Sequence, residues 1–226
     1  VYSEQAMRFL EADGLMSLTG LLRDEDQMVR VEALRTISAL TVTTDPTKRK
    51  ISDRSIAVSI RSCLHSSITP EMYFAILGIA LGETEGIYEV ADQTHLVVPD
   101  ILPSALFPLL AAAPLYVKMK ALQDCVLLFT NTSEAAHFVS LGLDWQTPIL
   151  QLLDIAAGSR ERPEDFSALL ELVASLCHRI VLAMIASPRS GWGSLGDFLC
   201  QVRVFNLKSP TTFPYRGFLS SLFAQL

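Results

Sequence analysis

Two series of leucines recur along the chain at nearly constant spacing: Leu21, Leu64, Leu110 and Leu153, and Leu34, Leu77, Leu122 and Leu169, with steps of 43 to 47 residues. A period of that length marks an array in which one supersecondary unit is repeated and stacked. A turn-forming or helix-breaking group lies between the paired leucines of each period: Asp24-Glu25-Asp26, Thr69-Pro70, Pro114 and Arg162-Pro163. Each period therefore reads as helix, short turn, helix. Thr69-Pro70-Glu71 offers an N-cap, a first-turn proline and an acid facing the helix dipole, and Thr147-Pro148 offers the first two of these.

Inside the periods the apolar residues step by three and four. Phe166, Leu169, Leu170, Val173, Cys177, Ile180, Val181 and Met184 form one stripe of a helix that starts after Arg162-Pro163 and stops before Pro188. Leu172, Leu176, Leu182 and Ile185 occupy further faces, the pattern of a helix packed between neighbours. Strand signals are weak: Leu96-Val97-Val98 is cut off by Pro99, and no alternating segment with a hairpin turn comes after it.

Half of the 226 residues are apolar and 19% are charged, so the chain is too apolar to be disordered and long enough to bury a core. Its formal charge of −6 argues against a nucleic-acid binder, whose footprint would be basic. Ile101 to Val117 is uncharged, but it carries Pro103, Pro108 and Pro114 and is shorter than the ~20 residues of a spanning helix. Cys63, Cys125, Cys177 and Cys200 lie far apart in or near apolar segments, as buried thiols of a reduced compartment do. The chain starts at Val1 with no signal-peptide pattern, and is expected to be a piece of a longer cytoplasmic polypeptide.

Gly14 to Leu40, GLMSLTGLLRDEDQMVRVEALRTISAL, resembles an armadillo repeat: a glycine corner, a helix with Leu15, Leu18, Leu21 and Leu22, an acidic turn, then a helix with Val29, Ala33, Leu34, Ile37 and Leu40. Leu102 to Leu128 keeps the same scheme, and a third echo begins at Gly142-Leu143-Asp144-Trp145; the repeat between Asp53 and Leu81 departs furthest from it. The resemblance implies an all-α fold, a right-handed α-solenoid of armadillo/HEAT-like repeats, with about four repeats over residues 1–187 and C-terminal helices over 188–226 that continue or cap the stack. The last stretch, Phe218 to Leu226, presents an apolar face through Leu219, Leu222 and Phe223; it reads as the cut edge of a longer helical stack, or as a cap.

A second resemblance is carried by LGLDWQTPILQLL around Trp145, SGWGSLGDFL around Trp192 and the long apolar helix between them. These segments are similar, over residues 138–205, to the armadillo-like region upstream of BEACH modules in neurobeachin and beige type proteins. That likeness implies a large cytoplasmic scaffold in vesicle or membrane traffic, with this piece as a non-catalytic segment.

Armadillo proteins that read nuclear-localisation signals carry Trp and Asn on the groove helix, in the order ALWALSNL. Here ALRTISAL places Arg35 and Ala39 at those positions, and ALQDCVLL places Gln123 and Leu127 there, so import-receptor activity is disfavoured. Arg35 and Gln123 remain candidate groove residues for a protein or peptide partner. Lys48-Arg49-Lys50 is the one basic cluster, a candidate contact for an acidic partner or, peripherally, an anionic membrane. Cys177 precedes His178, but neighbouring helical residues point about 100° apart, and a nucleophile pair needs hydrogen-bond reach. The chain has no CxxC or HExxH spacing, and although Gly191-Trp192-Gly193-Ser194-Leu195-Gly196 has the spacing GxGxxG, no strand pattern precedes it, so no catalytic residue, metal or cofactor is expected. The expected function is a non-catalytic protein-interaction scaffold. The alternatives are a structural spacer or self-association segment, and an enzyme using the Cys177/His178 pair.

Overall fold

The computed structural model describes residues 2–43, 57–58, 60–61, 68–82, 96, 98, 100–130, 144–154, 163–186, 193–210 and 213–224. Among these the regular structure is entirely helical. The chain groups into two compact units, Val1–Val117 and Lys118–Leu226, so the helices on either side of residue 187 lie in one unit.

In the first unit, α1 (Tyr2–Glu11), α2 (Gly14–Leu21) and α3 (Gln27–Thr43) pack on one another, and α3 packs most extensively on α4 (Pro70–Leu81). The corner between α1 and α2 is not made by its glycine, as the repeat pattern suggests. Asp13 takes the left-handed conformation at φ 55°, while Gly14 provides space: a Cβ there would stand 2.4 Å from the ring of Phe9. Side chains build the acidic turn between α2 and α3. The Asp26 amide donates to Asp24 Oδ1 at 2.8 Å, and the Met28 amide donates to Asp26 Oδ1 at 2.8 Å, an N-cap worth about 1 kcal/mol. The guanidinium of Arg30 closes the turn by donating to the carbonyls of Asp24 and Glu25, at 2.6 and 3.0 Å.

Helix α4 begins as its sequence predicts. The Thr69 hydroxyl accepts from the Met72 amide at 3.4 Å, Pro70 occupies the first turn, and Gly82 ends the helix at φ 71°. Beyond it, the Val98 amide donates to the Ala80 carbonyl at 3.0 Å and leads into a π-helical turn, Leu102–Leu106, which runs directly into α5 (Phe107–Leu110). The sequence pattern gives no sign of this widened turn. It contains Pro103 and is followed by Pro108 in α5, and prolines without N–H donors interrupt the regular ladder.

Helix α6 (Leu115–Leu128) contains the boundary between the units. The second unit adds α7 (Gln146–Gln151), α8 (Pro163–Ala186), α9 (Gly193–Lys208) and α10 (Tyr215–Phe223). Thr147 is not the N-cap of α7: the helix starts one residue earlier, and Asp144 Oδ1 accepts from the Thr147 amide at 3.3 Å. Helix α8 is long and apolar enough over Glu164–Ala186 to cross a membrane by length and composition alone, yet half of its apolar window is buried inside the unit. Both α9 and α10 pack against it, which is the role of a central core helix. Leu176 is buried there, but Leu182, expected on a second covered face, is exposed.

An aromatic chain joins the remaining helices of this unit. Trp145 stacks on Phe198 with centroids 5.4 Å apart; Phe198 meets Phe218 edge-on at 6.5 Å; Phe213 approaches Phe218 at 6.0 Å and Phe205 at 5.1 Å. Phe218 and Leu222 are fully buried, so the apolar face of α10 is spent inside its own unit, while Phe223 is left exposed at 49%. Trp192 lies outside the described residues.

Phe198 holds both Trp145 and Phe218, so Phe198→Ala is expected to destabilise this unit by about 3–5 kcal/mol, whereas Phe223→Ala stays within about 0.5 kcal/mol of the parent. Urea denaturation monitored by tryptophan fluorescence checks both, since both tryptophans, Trp145 and Trp192, belong to Lys118–Leu226.

Candidate protein-interaction surface

The residues singled out for partner contact do stand on helix surfaces where the structure describes them. Arg35 is exposed on α3, where its guanidinium pairs with Glu32 Oε1 at 2.6 Å. It also acts on the next helix: the Glu71 carboxyl is held below its ordinary range first by its own backbone N–H, then by the Thr69 hydroxyl, with the Arg35 charge adding to both. Gln123 is exposed on α6, and Leu127, one turn further along, is exposed as well. Between them Asp124 is buried and bonded to Lys120 Nζ at 2.6 Å, a charge pair that the apolar pattern of this helix does not reveal. Arg35 and Gln123 belong to different units. Lys48, Arg49 and Lys50 fall outside the described residues.

Leu21 departs most clearly from its expected role. The repeat pattern makes it a core anchor, equivalent to Leu110 and Leu153, both of which are fully buried. Leu22 is the buried residue instead, and Leu21 is 44% exposed. One residue along a helix turns the side chain by about 100°, enough to carry it from core to surface. Leu21 lines an open groove of about 340 Å³ between α2 and α3, together with Leu18, Met28, Val29, Ala33 and Thr36; Glu32 is the one charged residue in its wall. Met28 is 61% exposed at the mouth.

A smaller concavity of about 210 Å³ lies between α7 and α9 in the second unit. Its lining mixes Leu150, Val204 and Phe205 with Thr147, Gln151 and Lys208, and the Ser209 hydroxyl donates to Asp154 Oδ2 at 3.0 Å at its edge.

The Cys177/His178 pair has the opposite of nucleophile chemistry. Cys177 is fully buried, and desolvation pushes its thiol well above the ordinary range, so the thiolate is disfavoured. Cys125 is raised in the same way, first by burial and then by the Asp124 charge. His178 is half-buried, and its proton affinity is lowered first by desolvation and then by neighbouring Arg179. Among the described residues no group of three or more His, Cys, Asp and Glu is placed to hold a metal ion.

Among the described residues both units are built of helices packed on helices, with no metal cluster or nucleophile pair assembled on them, which defines the class as an all-α fold. Residues 4–204 match the family model for the neurobeachin/BDCP alpha solenoid region, DUF4704, and the chain belongs to that family. No curated protein and no solved structure matches it. The family assignment agrees with the resemblance carried by the segments around Trp145 and Trp192. The match ends inside α9, whereas α10 beyond it completes the aromatic core of the second unit.

Two outcomes are expected from the titrating groups. A maleimide at neutral pH is expected to modify exposed Cys200 quickly and to reach Cys125 and Cys177 only after denaturant opens the fold, with peptide mapping to separate the sites. The folded-state pKa of His178 lies below its ordinary value of 6.5, so its contribution to stability is fully present above that pH and is lost as pH falls through the folded value. Replacing it by His178→Gln is expected to flatten the acid limb of the stability profile below about pH 6.5, read by urea midpoints.

Proposed function

We propose that the chain is a protein-interaction segment of a larger cytoplasmic scaffold that works in vesicle or membrane traffic, and that it carries no catalysis of its own. The observation that carries this reading is the family match over residues 4–204 to an alpha solenoid region of neurobeachin-type proteins. Solenoids of this kind bury a continuous core and leave their surfaces free to bind extended partners. The inert Cys177 thiol supports the non-catalytic part, since an enzyme built on it would need the thiolate that burial disfavours. Partner contact is assigned to protein or peptide ligands, with Arg35 and Gln123 as exposed contact residues and Lys48, Arg49 and Lys50 as a basic contact for acidic groups or, peripherally, a membrane.

Self-association is the second reading. Leu182, Val204, Leu207 and Phe223 expose apolar surface on the second unit, which a second copy of the chain would cover.

Proximity labelling in cells, combined with binding of each purified partner to the purified chain, tests the proposal. We expect a reproducible set of cytoplasmic trafficking proteins, at least one binding directly, with Cys177→Ala leaving the set unchanged. A set identical to that of an unrelated helical repeat protein would overturn the scaffold reading. Concentration-dependent dimerisation in light scattering, with no hetero-partner, would favour the second.

A further inference from the structure

We propose that the groove between α2 and α3 is a docking site for an amphipathic helix of a partner protein, carrying aliphatic side chains on one face and Lys or Arg beside them. The inference rests on the scaffold reading and assigns it a surface and a ligand chemistry. Leu21 is the starting point. At the equivalent positions the repeat buries Leu110 and Leu153, yet here the leucine stands 44% exposed and Met28 opposite it 61% exposed. Exposed large apolar residues cost solubility, and a cluster of them along a groove marks an interaction site. Met28 adds an unbranched, polarisable side chain that adapts to the shape of what it meets.

The geometry selects a helix. The groove runs along α3 through Met28, Val29, Glu32, Ala33 and Thr36, which are successive turns of one helix face, at a pitch that matches anchors spaced i, i+4, i+7 on another helix. An extended peptide needs polar side chains along the groove to hold its backbone groups, and this lining offers only Glu32 and Thr36, whose hydroxyl already donates to the Glu32 carbonyl. The opening is broad and shallow enough for side chains to enter from solvent, and Ala33 on its floor lets a partner approach closely.

Charge selects a cationic helix. The only charged residue lining the groove is Glu32. At one end lies the Asp24-Glu25-Asp26 turn, three carboxylates flanked by Arg23 and Arg30, and Arg30 is already bound to the carbonyls of Asp24 and Glu25. Arg35 stands against Glu32 and leaves that pair neutral. The rim is therefore net anionic on a chain of formal charge −6, which steers basic partners toward it.

The test uses the whole chain with its six methionines labelled at the methyl carbon, so that Met28 reports on the groove and buried Met72 on the core. The probe is a synthetic Leu/Lys peptide of about four helical turns with leucines at i, i+3, i+4 and i+7. We expect the Met28 resonance to shift and saturate while Met72 holds still, and Leu21→Asp, with unchanged circular dichroism, to weaken binding at least about tenfold. A Leu/Glu peptide of the same period is expected to bind at least about tenfold more weakly than the Leu/Lys peptide. Equal binding by Leu21→Asp would overturn the site, equal binding by the Leu/Glu peptide would overturn the charge assignment, and a Met28 shift on raising protein concentration alone would make the occupant a second copy. Cellular partners retained by Leu21→Asp would sink the groove and leave the scaffold reading standing.

Discussion

Removal of one leucine per repeat from water is the constraint on which the other features depend. Leu34, Leu77, Leu122 and Leu169 are each fully buried, and each such side chain contributes about 1.5–3 kcal/mol when it leaves solvent. Most of the helices around them are short. A helix the length of α10, with nine residues, does not persist alone in water, because nucleation costs more than so few hydrogen bonds return. Stability therefore comes from packing helix on helix: α3 on α4 in the first unit, and α9 and α10 on α8 in the second. The aromatic chain from Trp145 to Phe205 is the local form of the same requirement, filling with rings the space between α7, α9 and α10.

Burying helix faces obliges the turns to satisfy the helix ends, and the polar residues are distributed accordingly. Asp24 and Asp26 accept the amides that open α3, Thr69 opens α4, and Asp144 supports α7. Arg30 covers carbonyls left without partners by the turn. These groups sit at helix ends with little burial, so each contributes locally while the leucine layers hold the units together. The same division of labour explains Cys125 and Cys177. Cys125 and Cys177 occupy core layers as small apolar groups, and the burial that fits them for packing removes the thiolate that reactivity requires.

The parts of the fold legible in the sequence are those with a periodic cause. The leucine period, the α4 cap and the span of α8 all come from spacing or from a single residue's chemistry, and the segments around Trp145 and Trp192 point to the family that the match over residues 4–204 shows. What escaped depends on contacts between turns. Gly14 looks like a flexible corner until Phe9 is seen to occupy the space of its missing Cβ, with the backbone reversal falling to Asp13. Thr147 has the right chemistry for a cap, but the helix starts a residue early and Asp144 supplies the acceptor. The π-helical turn at Leu102–Leu106 has no sequence period of its own, since it arises from two prolines meeting a packed neighbour, α4. Buried Asp124 stands in an apolar layer where its pairing with Lys120 makes it tolerable.

Leu21 shows why a surface in a repeat protein is harder to read than a core. Periodicity identifies the positions that must be apolar, and a neighbour one residue away satisfies the pattern almost as well. Leu21-Leu22 presents both options, and spacing alone cannot tell which one faces inward. The fold resolves it by burying Leu22, and the residue left over is then free of the core's demands. In a solenoid every repeat meets the same packing requirement, so a leucine that meets none of it is a departure from the common plan. The physical cost of such a residue is exposed apolar surface, and it is offset when another apolar surface covers it. Departures of this kind, set beside the charge of the adjoining turn, distinguish one repeat from its neighbours far more sharply than the shared geometry of the stack.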